Sequence, residues 1–168
     1  MARRPDALSP YGARGEQAEV LWFFGELQAV LASGEQTGDR IAVVEHLGRQ
    51  GLSPPWHRQP GDDETFFVLE GEITVWVGDP GEPFQRAVPG SLVFVPRGTP
   101  HSFRVDSATA RWLSISTPAG HERFYRAGGE PARERTLPPP RQPDLAKVEA
   151  AGREFGVELL GPSPASGA

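Results

Sequence analysis

Apolar residues arrive in short bursts along this chain, and a glycine or proline closes nearly every burst. Val20 to Phe24, Leu27 to Ala32 and Ile41 to Leu47, set apart by the turn signals at Gly34 and Gly38, predict the first strands of a sandwich. Thr65 to Leu69, the tight turn at Glu70-Gly71 and Glu72 to Val77 together predict a hairpin. Pro83 to Val88, Ser91 to Val95, His101 to Val105 and Arg111 to Thr117 bring the total to about nine or ten short strands at even spacing, which favours a sandwich or barrel over alternating strands and helices. Between Leu52 and Pro60 the prolines around Trp56 and His57 restrict the backbone to extended, irregular conformations.

The ends follow another pattern. Residues 1–17 are polar and rich in Arg, Gly and Pro, and are expected to be a flexible segment ahead of a β-domain over residues 18–118. Residues 119–160 read as a C-terminal extension. Gly120 to Ala127 suits one or two helical turns, and the stretch from Glu130 to Gln142 is a connector containing Pro138, Pro139 and Pro140. A helix is expected near 144–155, with Asp144 as N-cap, Leu145, Val148 and Phe155 near one face, and Gly156 as the stop. Val157 to Leu160 is a short apolar patch, and 161–168 reads as a disordered tail.

Composition agrees with strands and turns. Twenty Gly and eighteen Pro in 168 residues are too many breakers for a helix bundle. A net charge of −5 without a basic stripe argues against nucleic acid as a partner, since that binding draws on clustered Lys and Arg. With no Cys, thiolate chemistry and sulfur-ligated metal are excluded, so any metal is held by nitrogen and oxygen. Arg3 and Arg4 are not followed by an apolar export segment, and no apolar run approaches the ~20 residues that span a bilayer, so a cytoplasmic protein without membrane contact is expected.

The chemistry lies in two spaced sets of residues. Gly51, His57, Gln59, Glu64 and Gly71 form G-x5-H-x-Q-x4-E-x6-G, and Gly90, Pro96, Gly98 and His101 form G-x5-P-x-G-xx-H. Side chains on a strand alternate faces, so Glu64, Phe66 and Val68 share one side, as do His101, Phe103 and Val105. If the polar members point inward, the strands line a cavity of apolar walls and a few convergent polar groups, as small-molecule sites require.

These spacings resemble the two motifs of the small single-domain cupins, over roughly residues 40–118. The resemblance implies an all-β double-stranded β-helix, the jelly-roll cupin barrel, here with a short C-terminal helical extension. It also implies one divalent metal ion per chain, Fe, Mn, Ni or Co with Zn as a further option, held by His57, Glu64 and His101. The sequence departs from the family at Gln59, where a second His is usual, and at Val105, where Asn is usual and is not a metal ligand. Gln59 is read as a weak ligand, a substrate hydrogen-bonder or a bystander. Trp56, Phe66, Phe103 and Trp112 read as core side chains before substrate contacts, and Phe66, Phe103 and Trp112 are the aromatic candidates for a substrate pocket. His46 and His121 read as surface or satisfied core residues, and Asp62 and Asp63 as a solvated acidic loop.

Phe66-Phe67-Val68-Leu69-Glu70-Gly71-Glu72 and Val93 to His101, with the tail from Thr117 to Leu160, look like quercetin 2,3-dioxygenase-type small cupins. That likeness implies a metal-dependent oxidoreductase, a dioxygenase taking dioxygen and an enolisable aromatic or polyketide-like small molecule, with Glu64 as ligand or general base. Two other readings stand beside it. One is a non-redox isomerase, cyclase, dehydratase or lyase; the other is a small-molecule-binding cupin without catalysis. A homodimer is expected, with the Val20 to Phe24 strand at the interface unless both of its faces are buried within its own sandwich.

Overall fold

The computed structural model describes residues 8–167, so the first part of the segment expected to be flexible lies outside the described residues. The chain runs through β1 (Glu19–Phe23), β2 (Glu26–Ala32), α1 (Gly34–Thr37), β3 (Ala42–Arg49), β4 (Trp56–Arg58), β5 (Asp63–Glu70) and β6 (Ile73–Val77). It continues through β7 (Gln85–Ala87), β8 (Leu92–Val95), β9 (His101–Val105), β10 (Thr109–Thr117), α2 (His121–Gly128), β11 (Glu130–Pro131), α3 (Leu145–Phe155) and β12 (Glu158–Gly161). Two antiparallel sheets face each other, one of seven strands in the order β11-β1-β2-β3-β10-β5-β8 and one of five in the order β12-β4-β9-β6-β7. This is the all-β jelly roll with a short helical part.

Strict alternation builds the long strands. β10 buries Ala110, Trp112, Ser114 and Ser116 and turns the residues between them outward, while β5 buries Glu64, Phe66 and Val68. Period-two burial of this kind fixes register, because a slip of one residue would send the whole buried set to solvent.

One expected element is different. β5 and β6 are not a hairpin: β5 pairs with β10 and β8, and β6 pairs with β9 and β7. Gly71, at φ +75, is the corner where the chain passes from one sheet to the other, and a Cβ there would sit 2.3 Å from the Thr109 carbonyl oxygen. Only glycine fits so close an approach at that φ. A tight turn between two apolar runs looks the same in sequence whether its strands pair or cross to facing sheets.

The interior has two apolar clusters. One, around Phe66, Ile73, Val75, Phe103, Val105 and Trp112, fills the space between the sheets. The other joins Leu21, Phe23 and Val44 to Phe124, Tyr125, Val148 and Val157 from the C-terminal extension. Burying a side chain of the size of Leu21 or Phe23 is worth ~1.5–3 kcal/mol, so β1 is anchored from within its own chain. Its edge is also closed, by β11 through Leu21↔Pro131 and Trp22↔Glu130. Leu21 and Phe23 are buried within the chain, whereas Val20, Trp22 and Phe24 are half-buried.

α3 starts at Asp144, whose side chain accepts from the Lys147 N–H, and stops at Gly156 in the left-handed conformation. The chain then returns as β12 to pair with β4. Pro164–Gly167 forms a 3-10 turn, and Ser163, 8% exposed, hydrogen-bonds to Ser53. That hydrogen bond ties the segment to the barrel.

Candidate metal centre and its cavity

Pro54 and Pro55 keep the chain extended into β4, which delivers His57 directly opposite His101 of β9 in the antiparallel ladder. The two imidazole centroids are 4.4 Å apart. Glu64 comes from β5 in the facing sheet, and its Oε2 lies 3.0 Å from His101 Nε2. One ligand atom from each of His57, Glu64 and His101 lies within 4.8 Å of the others.

Both imidazoles are oriented from behind. His57 Nδ1 donates to the Pro55 carbonyl at 2.7 Å and His101 Nδ1 to the Thr99 carbonyl at 3.0 Å. A neutral ring that donates from Nδ1 carries its lone pair on Nε2, the tautomer that binds metals. For His101 that lone pair faces the Glu64 carboxylate, and two acceptors so close call for a proton or a cation between them. Burial, with the neighbouring His101, pushes His57 down to about 3. Burial alone would raise Glu64, but its hydrogen bond with His101 and the surrounding imidazoles outweigh this and hold it well below the usual carboxylate range. The group is thus a carboxylate facing imidazole nitrogens, a donor set that fits a divalent ion.

Gln59 and His121 extend the cluster. The Gln59 amide nitrogen lies 3.1 Å from Glu64 Oε2 and 3.0 Å from His121 Nε2, so with its two N–H bonds it links the carboxylate to an imidazole on α2. In this orientation Gln59 meets Glu64 as a hydrogen-bond donor rather than through its amide oxygen. His121, read from sequence as a surface or core residue, is buried, and burial pushes it down to about 4. It belongs to neither motif, and no spacing signal singled it out.

Beside the cluster lies a cavity. His57, Glu64 and His121 line it together with Phe66, Phe103 and Tyr125. Trp112 does not: it is fully buried, stacks on His46 with centroids 5.1 Å apart, and belongs to the core. The acidic loop divides. Asp63 pairs with Arg97 at 2.8 Å at the surface, whereas Asp62 Oδ2 is buried without a hydrogen-bond partner among the described residues. Burial and the nearby Glu64 push Asp62 up to about 7.

Residues 43–116 match the family described as the cupin domain. The chain carries a cupin domain. Over 127 residues it is 31% identical to quercetin 2,3-dioxygenase of Bacillus subtilis, an alignment covering 76% of this chain and 37% of that protein. The chain thus matches little more than a third of the relative's length. Among solved structures, the cupin fold is shared with an RmlC-like cupin from Shewanella frigidimarina at TM-score 0.57 and 20% identity, covering 68% of this chain and 96% of that one. The polyketide cyclase RemF from Streptomyces resistomycificus matches at TM-score 0.56 and 22% identity, covering 65% and 80%. No helix among the described residues is long and apolar enough to cross a membrane.

Proposed function

We propose that this cupin is a metal-dependent dioxygenase acting on a small enolisable aromatic. The observation that carries the reading is the convergence of His57, Glu64 and His101 on one point, each imidazole turned by a backbone carbonyl so that Nε2 faces inward. The likeness to quercetin 2,3-dioxygenase supports the redox class.

In this reading His57 and His101 hold the ion through Nε2 and Glu64 adds the neutralising charge. A divalent ion held there would supply Lewis acidity toward the substrate's enol or phenol oxygen. Gln59 donates to Glu64 Oε2, and Glu64 Oε1 has no hydrogen bond among the described residues and is available to take the substrate's hydroxyl proton. Gln59 restrains the carboxylate. Phe66, Phe103 and Tyr125 give the cavity apolar walls that exclude water from a planar substrate.

A non-redox lyase, isomerase, cyclase or dehydratase is the second reading. It is favoured by Gln59 in place of an imidazole, since fewer nitrogen donors make a less electron-rich ion. Elemental analysis and an oxygen electrode with quercetin as probe separate the two. Bound metal, oxygen uptake that tracks quercetin loss, and loss of both in Glu64→Ala are expected. Equal turnover without oxygen would move the assignment to the second reading, and protein that takes up no divalent metal would overturn both.

A further inference from the structure

Two hollows in this protein share a wall. The cavity beside the metal-centre residues and a surface hollow bordered by Trp22, Glu130, Pro138 and Lys147 have Phe24 and Val148 in common. Those two side chains therefore stand between the cavity and the hollow, and they are held differently. Val148, 4% exposed, is packed into the second apolar cluster from α3. Phe24 is half-buried at the tip of the β1–β2 hairpin, where Phe23 pairs with Glu26 and the turn consists of Phe24 and Gly25. Its ring borders the same cluster, 6.3 Å from the Phe23 ring, without being sealed into it. Of the two shared side chains, Phe24 is the one with room to swing.

The backbone singles out the same residue. Both turn residues have positive φ, +50 at Phe24 and +89 at Gly25, as a two-residue type I′ hairpin turn requires. Asn or Asp ahead of Gly suits that turn; a bulky aromatic is strained there, because its Cβ crowds the following carbonyl oxygen. Strain of this kind collects at ligand clamps and switches, where a side chain is needed in a place its backbone does not favour. We infer that Phe24 is the size-selecting residue of the cavity, its ring resting between the metal centre and the outer hollow. A slim anion passes the resting ring. A flat, fused ring system passes only when the Phe24 side chain turns aside, and the outer hollow is then its way in. This rests on the proposed role of the cavity as the substrate site and adds the residue that decides which ligands enter it.

Anaerobic stopped-flow binding to the full chain loaded with Co(II) tests this, with azide and 3-hydroxyflavone as probes. Both bind divalent ions, and only the flavonol is wide. Phe24→Asn removes the ring and suits the turn, whereas Phe24→Trp enlarges the ring. The flavonol is expected to associate about 10-fold faster with Phe24→Asn than with wild type, and more slowly with Phe24→Trp, as when entry waits for a side chain to move. Azide should bind all three at one rate. Equal flavonol rates across the three overturn the assignment of Phe24, and so does an azide rate that rises with the flavonol rate in Phe24→Asn; in both cases azide binding leaves the metal-centre reading standing. A chain that takes up Co(II) and azide but no flavonol overturns this assignment and the aromatic substrate together, and one that takes up no Co(II) overturns the metal centre as well. If Phe24→Trp does not fold, Phe24→Asn decides against the azide control.

Discussion

Leu159 lies directly across from His57 in the β12–β4 pair, so the return of the C-terminal extension completes the strand that carries a metal-centre imidazole. Ending the chain at Gly156 removes that partner, together with Val157 from the second apolar cluster. Supports standing behind a ligand are typically worth 10–100-fold in metal affinity. The truncated chain should bind a divalent ion at least about 10-fold more weakly, read by competition against a chromogenic chelator.

Gln59 links Glu64 to His121 through one amide. Gln59→Leu leaves the buried Glu64 carboxylate with one donor fewer, and the melting temperature of metal-free protein should fall by an amount equivalent to ~1–3 kcal/mol. Gln59→His restores the imidazole usual at this motif position and should tighten metal binding. Isothermal titration with Ni(II) or Co(II) reads the change, and unchanged affinity in Gln59→His would place residue 59 outside the ion's reach.

Trp112 is a core residue beneath the cavity rather than part of its lining. Trp112→Ala should cost ~3–5 kcal/mol in denaturant unfolding, as expected for a large aromatic removed from a filled interior. A loss under about 1 kcal/mol would contradict this placement.

Acid titration should reveal the tie between α1 and α2. Glu35 is held down to about 2 by its hydrogen bond with Ser33, and by Arg126 from α2. A lowered folded-state pKa contributes stability above the ordinary value near 4.5, and that contribution is lost as pH falls through about 2. Glu35→Gln should therefore melt slightly below wild type at pH 6, by no more than the ~1 kcal/mol of an exposed pair, with the difference shrinking as pH falls toward about 2 and gone below it.

Much of the barrel is legible in the sequence, because alternation and turn residues are local signals. The bursts from Val20 to Phe24 and from Arg111 to Thr117 lie where β1 and β10 run. The spacing that singled out His57, Glu64 and His101 marks three residues that the fold brings together. What stayed hidden depends on distant partners. His121 and His46 lie in no motif, and each gains meaning only from contacts made across the fold, with Gln59 in one case and Glu26 in the other. The β5–β6 turn was misread as a hairpin for the same reason, since pairing is decided by β8, β9 and β10. Trp112, read from sequence as core before pocket wall, is fully buried against Phe103 and the stacked His46.

The corner at Gly71 has a mechanical consequence. It sends β5 and β6 into opposite sheets, so Glu64 reaches the cluster from one layer while His57 and His101 reach it from the other. A cation gripped by all three would rivet the two layers together. Its departure would loosen the whole sandwich, and slowed amide exchange on loading should spread through β4, β5 and β9 alike.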